Sequence, residues 1–284
     1  MKKPQWITVG ISLACLAFLY FFGRTEPHKK PVNPQEAISS TDALSADSII
    51  TQAKTRLTGG QLAAVNHLES VLKNDSSTPA KLQVYHELAH FWADTGRMFE
   101  PYAWYESQSA RLENSEKSLT FAAHLFLQNL RGENDPSLKT WKALQAKELF
   151  ERSLKINPQN DSSVIGLGAC YIFGGISASP MEGILKVRSV ADRDSSNLFA
   201  QEILGQGSMI SGQYDRAIAP FQTIYRAAGD NADLKLESCL MLAEAFERKA
   251  DKNSAIHWYE QSLGFIKNSE IKTEVARRIE ELKK

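Results

Sequence analysis

The chain has 284 residues, of which 43% are hydrophobic, and its 33 basic and 33 acidic side chains give a formal net charge of zero. This balance argues against nucleic acid as a partner, because it provides no overall positive field, and the hydrophobic content excludes disorder of the whole chain. Three cysteines, Cys15, Cys170 and Cys239, are too few and too scattered for a disulfide framework or a cysteine-based zinc site. The last two are expected to be buried free thiols.

An uncharged stretch of 17 residues starts at Trp6, shortly after two lysines. It is long enough to cross a bilayer as a helix, and it is longer than the apolar region of a typical signal peptide. We therefore expect a short tail at 1–5 and an uncleaved transmembrane anchor at 6–23. A cleaved signal peptide is one alternative, and a lipoprotein signal at Cys15 is another.

A very short N-terminal tail usually stays in the cytoplasm, although the positive charges on the two sides of the anchor are nearly equal. This default predicts a single-pass membrane protein whose residues 24–284 lie outside the cytoplasm, in the periplasm if the cell is a Gram-negative bacterium. Residues 24–44 contain prolines at 27, 31 and 34 and many polar side chains. Such a composition is typical of a flexible tether.

From about residue 45 onwards, apolar residues recur every three or four positions, with short polar or glycine-containing breaks. This spacing predicts amphipathic helices, and no sustained alternation predicts a strand. Residues 45–81 fit a degenerate helix pair with a turn at Gly59-Gly60. At the other end, residues 269–284 have an apolar stripe opposite a charged face, which is typical of a helix that caps a stack.

The region between these flanks repeats. Five small residues, each preceded by an apolar residue, are separated by 34, 45, 37 and 38 residues, and an aromatic residue stands three positions after four of them. These small residues are Ala89, Ala123, Gly168, Gly205 and Ala243. A following helix carries a small residue one turn before an aromatic residue, as in Ala146 with Phe150, Ala217 with Phe221 and Ala255 with Tyr259. Self-similarity at such a period indicates stacked helix pairs.

This pattern resembles the tetratricopeptide repeat, a helix–turn–helix unit of about 34 residues. The resemblance covers residues 82–268, which would hold about five repeats with an insertion near 131–141. It implies an all-α solenoid in which each pair buries its faces against its neighbours. It also implies a groove for a protein or peptide partner, lined by the first helix of each pair.

A His-Glu-x-x-His element lies in the first repeat, at His86, Glu87 and His90. In this motif two histidines one helical turn apart bind zinc, and the glutamate activates the bound water. A zinc-dependent metallohydrolase is therefore an alternative function, although the sequence offers no recognisable third ligand and the repeat pattern itself accounts for this helix. His124 has the corresponding place in the next repeat, so the three histidines are candidates for a metal site in one groove. The alternative is that these imidazoles contact a partner in the groove or are exposed to solvent.

The best-known ligands of this family are peptide C-termini held by lysine and asparagine side chains. The equivalent positions here are His86, His90, Thr120 and His124, which do not support that ligand class. In the later repeats the same face carries apolar residues beside acidic ones, which suggests an amphipathic helix or an extended segment as the ligand. The candidate partner-binding residues there are Ile165, Ile172, Phe199, Glu202, Gln206, Met209, Leu240, Glu244 and Glu247. The alternative is that several of them pack against the next repeat.

These patterns favour a non-catalytic protein–protein interaction scaffold or assembly factor, tethered to a membrane and without a cofactor. The resemblance implies the same, because similar anchored repeat proteins assist the assembly of complexes in the cell envelope. A self-associating structural module is a further alternative. Exposed apolar residues such as Phe173 or Met209 would form its contact surface.

Overall fold

The computed structural model describes residues 44–74, 77–177 and 179–284. Within these residues the chain forms thirteen α-helices, one π-helix and no strand. The predicted tail 1–5, the anchor 6–23 and all of the tether 24–44 except Leu44 lie outside the described residues. None of the described helices combines the length and the apolar character that crossing a bilayer requires.

The helices follow one another through short connections. In chain order the first seven are α1 (Ala46–Lys54), α2 (Gly59–Asn74), α3 (Thr78–His90), α4 (Phe99–Glu113), α5 (Glu116–Leu130), α6 (Pro136–Ile156) and α7 (Asp161–Phe173). The other six are α8 (Met181–Ala191), α9 (Leu198–Ile210), α10 (Tyr214–Ala227), α11 (Ala232–Arg248), α12 (Lys252–Ser262) and α13 (Ser269–Lys283). The π-helix, Phe91–Thr95, continues directly from α3.

Five helix pairs stack along the chain. α3 packs on α4, α5 on α6, α7 on α8, α9 on α10 and α11 on α12, and the second helix of each pair also packs on the next helix in the chain. Further contacts join α5 to α7 and α7 to α9, so these first helices form a continuous layer. The predicted all-α stack of helix pairs is therefore confirmed for the described residues.

The repeated small residues let the two helices of a pair approach closely. A Cβ atom added to Gly168 of α7 would lie 2.6 Å from a methyl carbon of Val187 and 2.8 Å from the carbonyl oxygen of Gly183, both on α8. In the next pair, a Cβ atom on Gly205 would lie 2.5 Å from the ring of Phe221. Larger side chains at these positions would push the paired helices apart.

The first helices of the later pairs share one type of N-cap. Asn160, Asn197 and Asn231 precede α7, α9 and α11, and each side-chain oxygen accepts a hydrogen bond of 2.9, 3.0 or 3.1 Å from the backbone N–H three residues later. Asn268 caps α13 in a similar way. These bonds satisfy backbone donors that a helix N-terminus leaves unpaired. α13, which packs on α12, thus begins like the first helix of another pair.

In the N-terminal flank the structure has two helices, α1 and α2, but the turn between them is not at Gly59-Gly60. Gly59 and Gly60 do not form a turn, because they are the first two residues of α2. The side-chain oxygen of Gln61 accepts a hydrogen bond of 2.9 Å from the backbone N–H of Thr58, and the Thr58 hydroxyl accepts one of 3.4 Å from the N–H of Gln61. This reciprocal capping box starts the helix ahead of the glycines. α2 packs on α3, whereas α1 packs on α4.

The insertion near 131–141 forms a short loop and about two additional turns of α6. Ala146 lies ten residues after the first residue of α6, whereas Ala217 lies three residues after the first residue of α10. The additional turns carry the buried Trp141. Its ring lies edge-on to that of Phe126, with 5.4 Å between the centroids. The insertion therefore extends the core between α5 and α6.

Lys142 lies in the same added turns and is only 1% exposed. Its Nζ donates hydrogen bonds of 2.5 Å to Asn129 and Glu133, and it pairs with Glu100 at 2.8 Å. The hydrogen bond from Lys142 lowers the pKa of the Glu133 carboxyl. A buried ammonium group requires such partners, since its desolvation is otherwise unfavourable. Lys142 thereby connects α4, α5 and the loop before α6.

Candidate functional site

A cleft opens between α9, α10 and α11. Although α5, α7 and α9 contact one another in turn, α9 and α11 have little direct contact. The space between them has a volume of about 190 Å³. Its walls are formed by Leu198, Phe199, Glu202, Gln206, Phe221, Ile224, Leu234, Glu237, Ser238 and Met241.

Apolar side chains form most of the cleft wall. Phe221 and Ile224 of α10 are buried, and Leu198, Leu234 and Met241 are partly buried against the same cluster. They come from three helices of two successive pairs, so the cleft exists only in the folded stack. A concave apolar surface with a few polar groups is the usual form of a binding site.

Two carboxylates border the cleft, and only one of them pairs with a positively charged side chain. Glu202 accepts a hydrogen bond of 3.1 Å from Gln206 and pairs with the guanidinium group of Arg131. Arg131 also lies over the ring of Phe173, 5.6 Å from its centroid. Glu237 is exposed, and its side chain has no hydrogen-bond or ion-pair partner within the described part of the chain. The cleft therefore presents one negative charge without a counter-charge.

His124 of α5 lies beside the cleft. Its ring centroid is 5.4 Å from that of Phe199, and its Nε2 is 2.7 Å from the hydroxyl of Ser162. Burial lowers the pKa of His124, and the positive charge of Arg131 lowers it further. The imidazole is therefore neutral at pH 7. It joins α5 to α7 and α9, and within the described residues it forms no metal-binding group with the two histidines of the first repeat.

Part of the predicted partner-binding face is open. Phe199, Glu202 and Gln206 line the cleft. Ile165 is fully buried in the main core, and Ile172 is partly buried against the same core. The side chain of Ile165 is therefore not accessible to a partner.

The other predicted residues of this face contact neighbouring helices or solvent. Met209 packs on the cluster formed by α10 and α11, and Leu240 packs on the cluster that includes α13. Glu247 forms an ion pair with Arg278 of α13. Glu244 is exposed. Met209, Leu240 and Glu247 therefore make contacts within the stack.

The residues expected to support self-association are not exposed. Phe173 is 8% exposed, and Met209 is partly buried. Large apolar side chains that are exposed in the described part of the chain are Phe121, Ile156, Met181, Leu185, Ile210 and Ile271. Met181 and Leu185 lie one turn apart on α8, and the others are on separate helices. Apolar side chains scattered in this way are normal on a protein surface.

The His-Glu-x-x-His element lies at the end of α3, where its histidines have different neighbours. Nε2 of His86 is 3.1 Å from the hydroxyl of Ser109 and 3.6 Å from the carboxylate of Glu113, both on α4. Nδ1 of His90 is 4.0 Å from Asp94 in the π-helix, and both side chains are exposed. Across the described ranges, no group of three His, Cys, Asp or Glu side chains could hold a metal ion. The zinc-dependent metallohydrolase is therefore not favoured.

The neighbours of His86 also differ from a serine-hydrolase triad. In such a triad the serine and the acid contact opposite nitrogens of the imidazole. Ser109 and Glu113 both contact Nε2, and Ser109 is 1% exposed. These contacts serve to join α3 to α4.

The sequence pattern did not indicate the α11 wall of the cleft. Leu234, Glu237, Ser238 and Met241 have the spacing of one helix face. The candidates on α11 were instead Leu240, Glu244 and Glu247. The spacing alone does not show which face of α11 borders the cleft and which packs on the cluster that includes α13, because both faces carry apolar residues.

Among the comparisons with known proteins, only the search of solved structures gives matches. No protein-family model matches the chain, and no curated protein sequence matches it. Among solved structures, the crystal structure of the MamA protein is similar over 65% of this chain and 91% of that chain, with 14% sequence identity and a TM-score of 0.44. A likeness at this level carries no information about function.

Proposed function

We propose that the protein is a non-catalytic interaction scaffold or assembly factor, tethered to a membrane, that binds a segment of another protein on the face formed by its first helices. The cleft between α9 and α11 is the observation that supports this best. It is open and largely apolar, and it adjoins the continuous layer of α5, α7 and α9. Stacked helix pairs commonly use such extended surfaces for recognition.

The chemistry of the cleft suits binding better than catalysis. Its lining residues include no histidine, cysteine or lysine. The hydroxyl of Ser238 donates a hydrogen bond of 2.7 Å to the carbonyl oxygen of Leu234, and no base contacts it. Glu202 is held by Arg131. Among the described residues the cleft therefore has no activated nucleophile, and its one unpaired carboxylate, Glu237, has no hydrogen-bonded neighbour that it could activate as a base.

The membrane tether is the second part of the proposal. It rests on the uncharged stretch within 6–23 and on the proline-containing residues 24–44. In this arrangement the N-terminus is cytoplasmic, and the helix pairs face the extracytoplasmic side of the membrane. A partner at or near that membrane would then meet the cleft at a raised local concentration.

Site-specific photo-crosslinking tests the binding face. A photoreactive amino acid replaces Gln206 in the cleft of the full-length protein, and a matched control replaces the exposed Ser189 on α8. In native membranes we expect a discrete crosslinked partner from position 206 and none from position 189. Identical products from both positions, or none from position 206, would contradict the proposed function.

Membrane extraction tests the tether separately. The full-length protein should remain with membranes after alkaline carbonate treatment, and a variant lacking residues 6–23 should be released. Protease added to spheroplasts should digest the helix pairs if they face outward. Release of the full-length protein by carbonate would exclude the anchor but would not contradict the proposed binding face.

A further inference from the structure

We propose that the cleft between α9, α10 and α11 binds a bulky apolar or aromatic side chain of the partner, and that a lysine or arginine next to it in the partner pairs with Glu237. This inference rests on the proposed function and specifies its ligand. Three properties of the cleft support it: its volume, the composition of its walls and its charge.

The volume suits one large side chain. A cavity of about 150 Å³ accommodates benzene, and the cleft measures about 190 Å³. It can therefore take a phenylalanine ring or a methionine or leucine side chain, whereas a small residue would leave it partly empty. Buried anchors of this size provide most of the free energy in many protein interfaces.

The walls favour an apolar anchor. Phe221 and Ile224 lie on one side, and Leu234 and Met241 on another. The hydroxyl of Ser238 already donates to the backbone, so the wall offers few free donors to a polar group. Inserting a side chain that must accept hydrogen bonds would remove it from water without a donor to replace the water, which is unfavourable.

The charge favours a cation beside that anchor. Glu202 is already neutralised by Arg131, but Glu237 has no partner among the residues that the structure describes. A lysine or arginine near the anchor would supply the missing positive charge. An acidic residue at the same place would be repelled.

Selection from random peptides tests this ligand class. The full-length protein, in detergent micelles, is used to select binders from a phage-displayed library of short random peptides, and their affinities are measured by fluorescence polarisation. We expect binders with a large apolar residue close to lysine or arginine. Replacing the apolar residue by alanine should weaken binding at least about tenfold.

Variants of the protein locate the bound peptide. Glu237→Lys should weaken binding about three- to tenfold, and Gln206→Trp should weaken it by covering the cleft. Glu280→Lys on α13, which makes the same change of net charge at an exposed site, should leave the affinity unchanged. Circular dichroism establishes that each variant is folded.

Three outcomes would overturn the inference. Peptides whose affinity is unaffected by Glu237→Lys and Gln206→Trp bind elsewhere, and a library that yields no binders excludes this peptide class. Sedimentation showing a dimer that Glu237→Lys dissociates would identify a second copy of the chain as the occupant. A partner crosslinked from position 206 would still support the proposed function in the first two cases, so the two failures are distinguishable.

Discussion

Single small residues decide how closely paired helices approach, and Gly205 allows a direct test. In Gly205→Ala the new Cβ atom would lie 2.5 Å from the ring of Phe221. Overpacking costs about 1–3 kcal/mol, which exceeds the gain of up to about 1 kcal/mol in helix propensity. We expect a net loss of up to about 2 kcal/mol in the free energy of unfolding, measured with urea. Gly60→Ala is the control, because open space surrounds its Cβ position, and it should not lower the free energy of unfolding.

His124 predicts a pH effect whose sign follows from its burial. Because its pKa is lowered in the folded protein, the unfolded chain binds its proton at a higher pH than the folded chain does. The free energy of unfolding therefore decreases as the pH falls from about 6.5, the pKa of His124 in the unfolded chain, through its lower pKa in the folded protein. His124→Gln should show a smaller loss of stability on acidification, measured by urea unfolding at several pH values.

The control for this experiment is His90→Gln, which makes the same change at an exposed histidine. An acid-induced loss of stability that is equal in wild-type protein and in His124→Gln would exclude this role for His124. The neutral imidazole of His124 shares a hydrogen bond with the hydroxyl of Ser162.

Some features of single residues could be predicted from the sequence. The small residues at the repeated positions are buried, as their spacing indicated. A further repeat signal was present in Asn160, Asn197, Asn231 and Asn268, which are 37, 34 and 37 residues apart. Local chemistry of this kind is readable because each cap depends only on residues within one turn.

At the scale of elements, α6 depends on its buried lysine. Lys142→Met would leave the carboxylates of Glu100 and Glu133 without their cation, and breaking a buried pair in this way costs about 3 kcal/mol or more. We expect a loss of about 3 kcal/mol in the free energy of unfolding. Lys147→Met on the same helix removes a partly exposed pair with Glu151 and should cost less than about 1 kcal/mol. Equal losses would contradict the role assigned to Lys142.

The role of Lys142 could not be predicted from the sequence. Its partners Glu100, Asn129 and Glu133 come from α4, α5 and the following loop. In the sequence it is one of 33 basic residues and resembles a surface lysine. Only the packing of three elements turns this position into a buried one.

At the scale of the whole molecule, the stack should lose stability from its ends. α13 covers the apolar residues Leu236, Leu240 and Leu263 with Val275 and Ile279. Removing residues 269–284 should therefore expose the last pair while leaving α5–α8 intact, because repeat units contact mainly their neighbours. Hydrogen exchange should show faster exchange in α11 and α12 only. Loss of protection throughout α5–α8 would show that the stack behaves as one cooperative unit.

The position of the cleft is also a property of the whole stack. The sequence predicted which helices form the first layer but not the gap between α9 and α11. The width of that gap depends on how far successive pairs are displaced from one another. Many packing contacts together determine this displacement. Phe199, Glu202 and Gln206 could be named in advance because they lie on a first helix, whereas the α11 wall could not.

The lengthened α6 has a consequence for how this chain can evolve. Repeat arrays often grow by duplication and lose units by deletion, since each unit presents equivalent faces. Lys142 takes one partner, Glu100, from the preceding pair and another, Glu133, from its own. Deleting the first pair alone would remove one of the two carboxylates that pair with the buried Lys142, and deleting the second alone would leave Glu100 without its cation. The first two pairs are therefore exchanged with the least loss of stability when they move together as one unit.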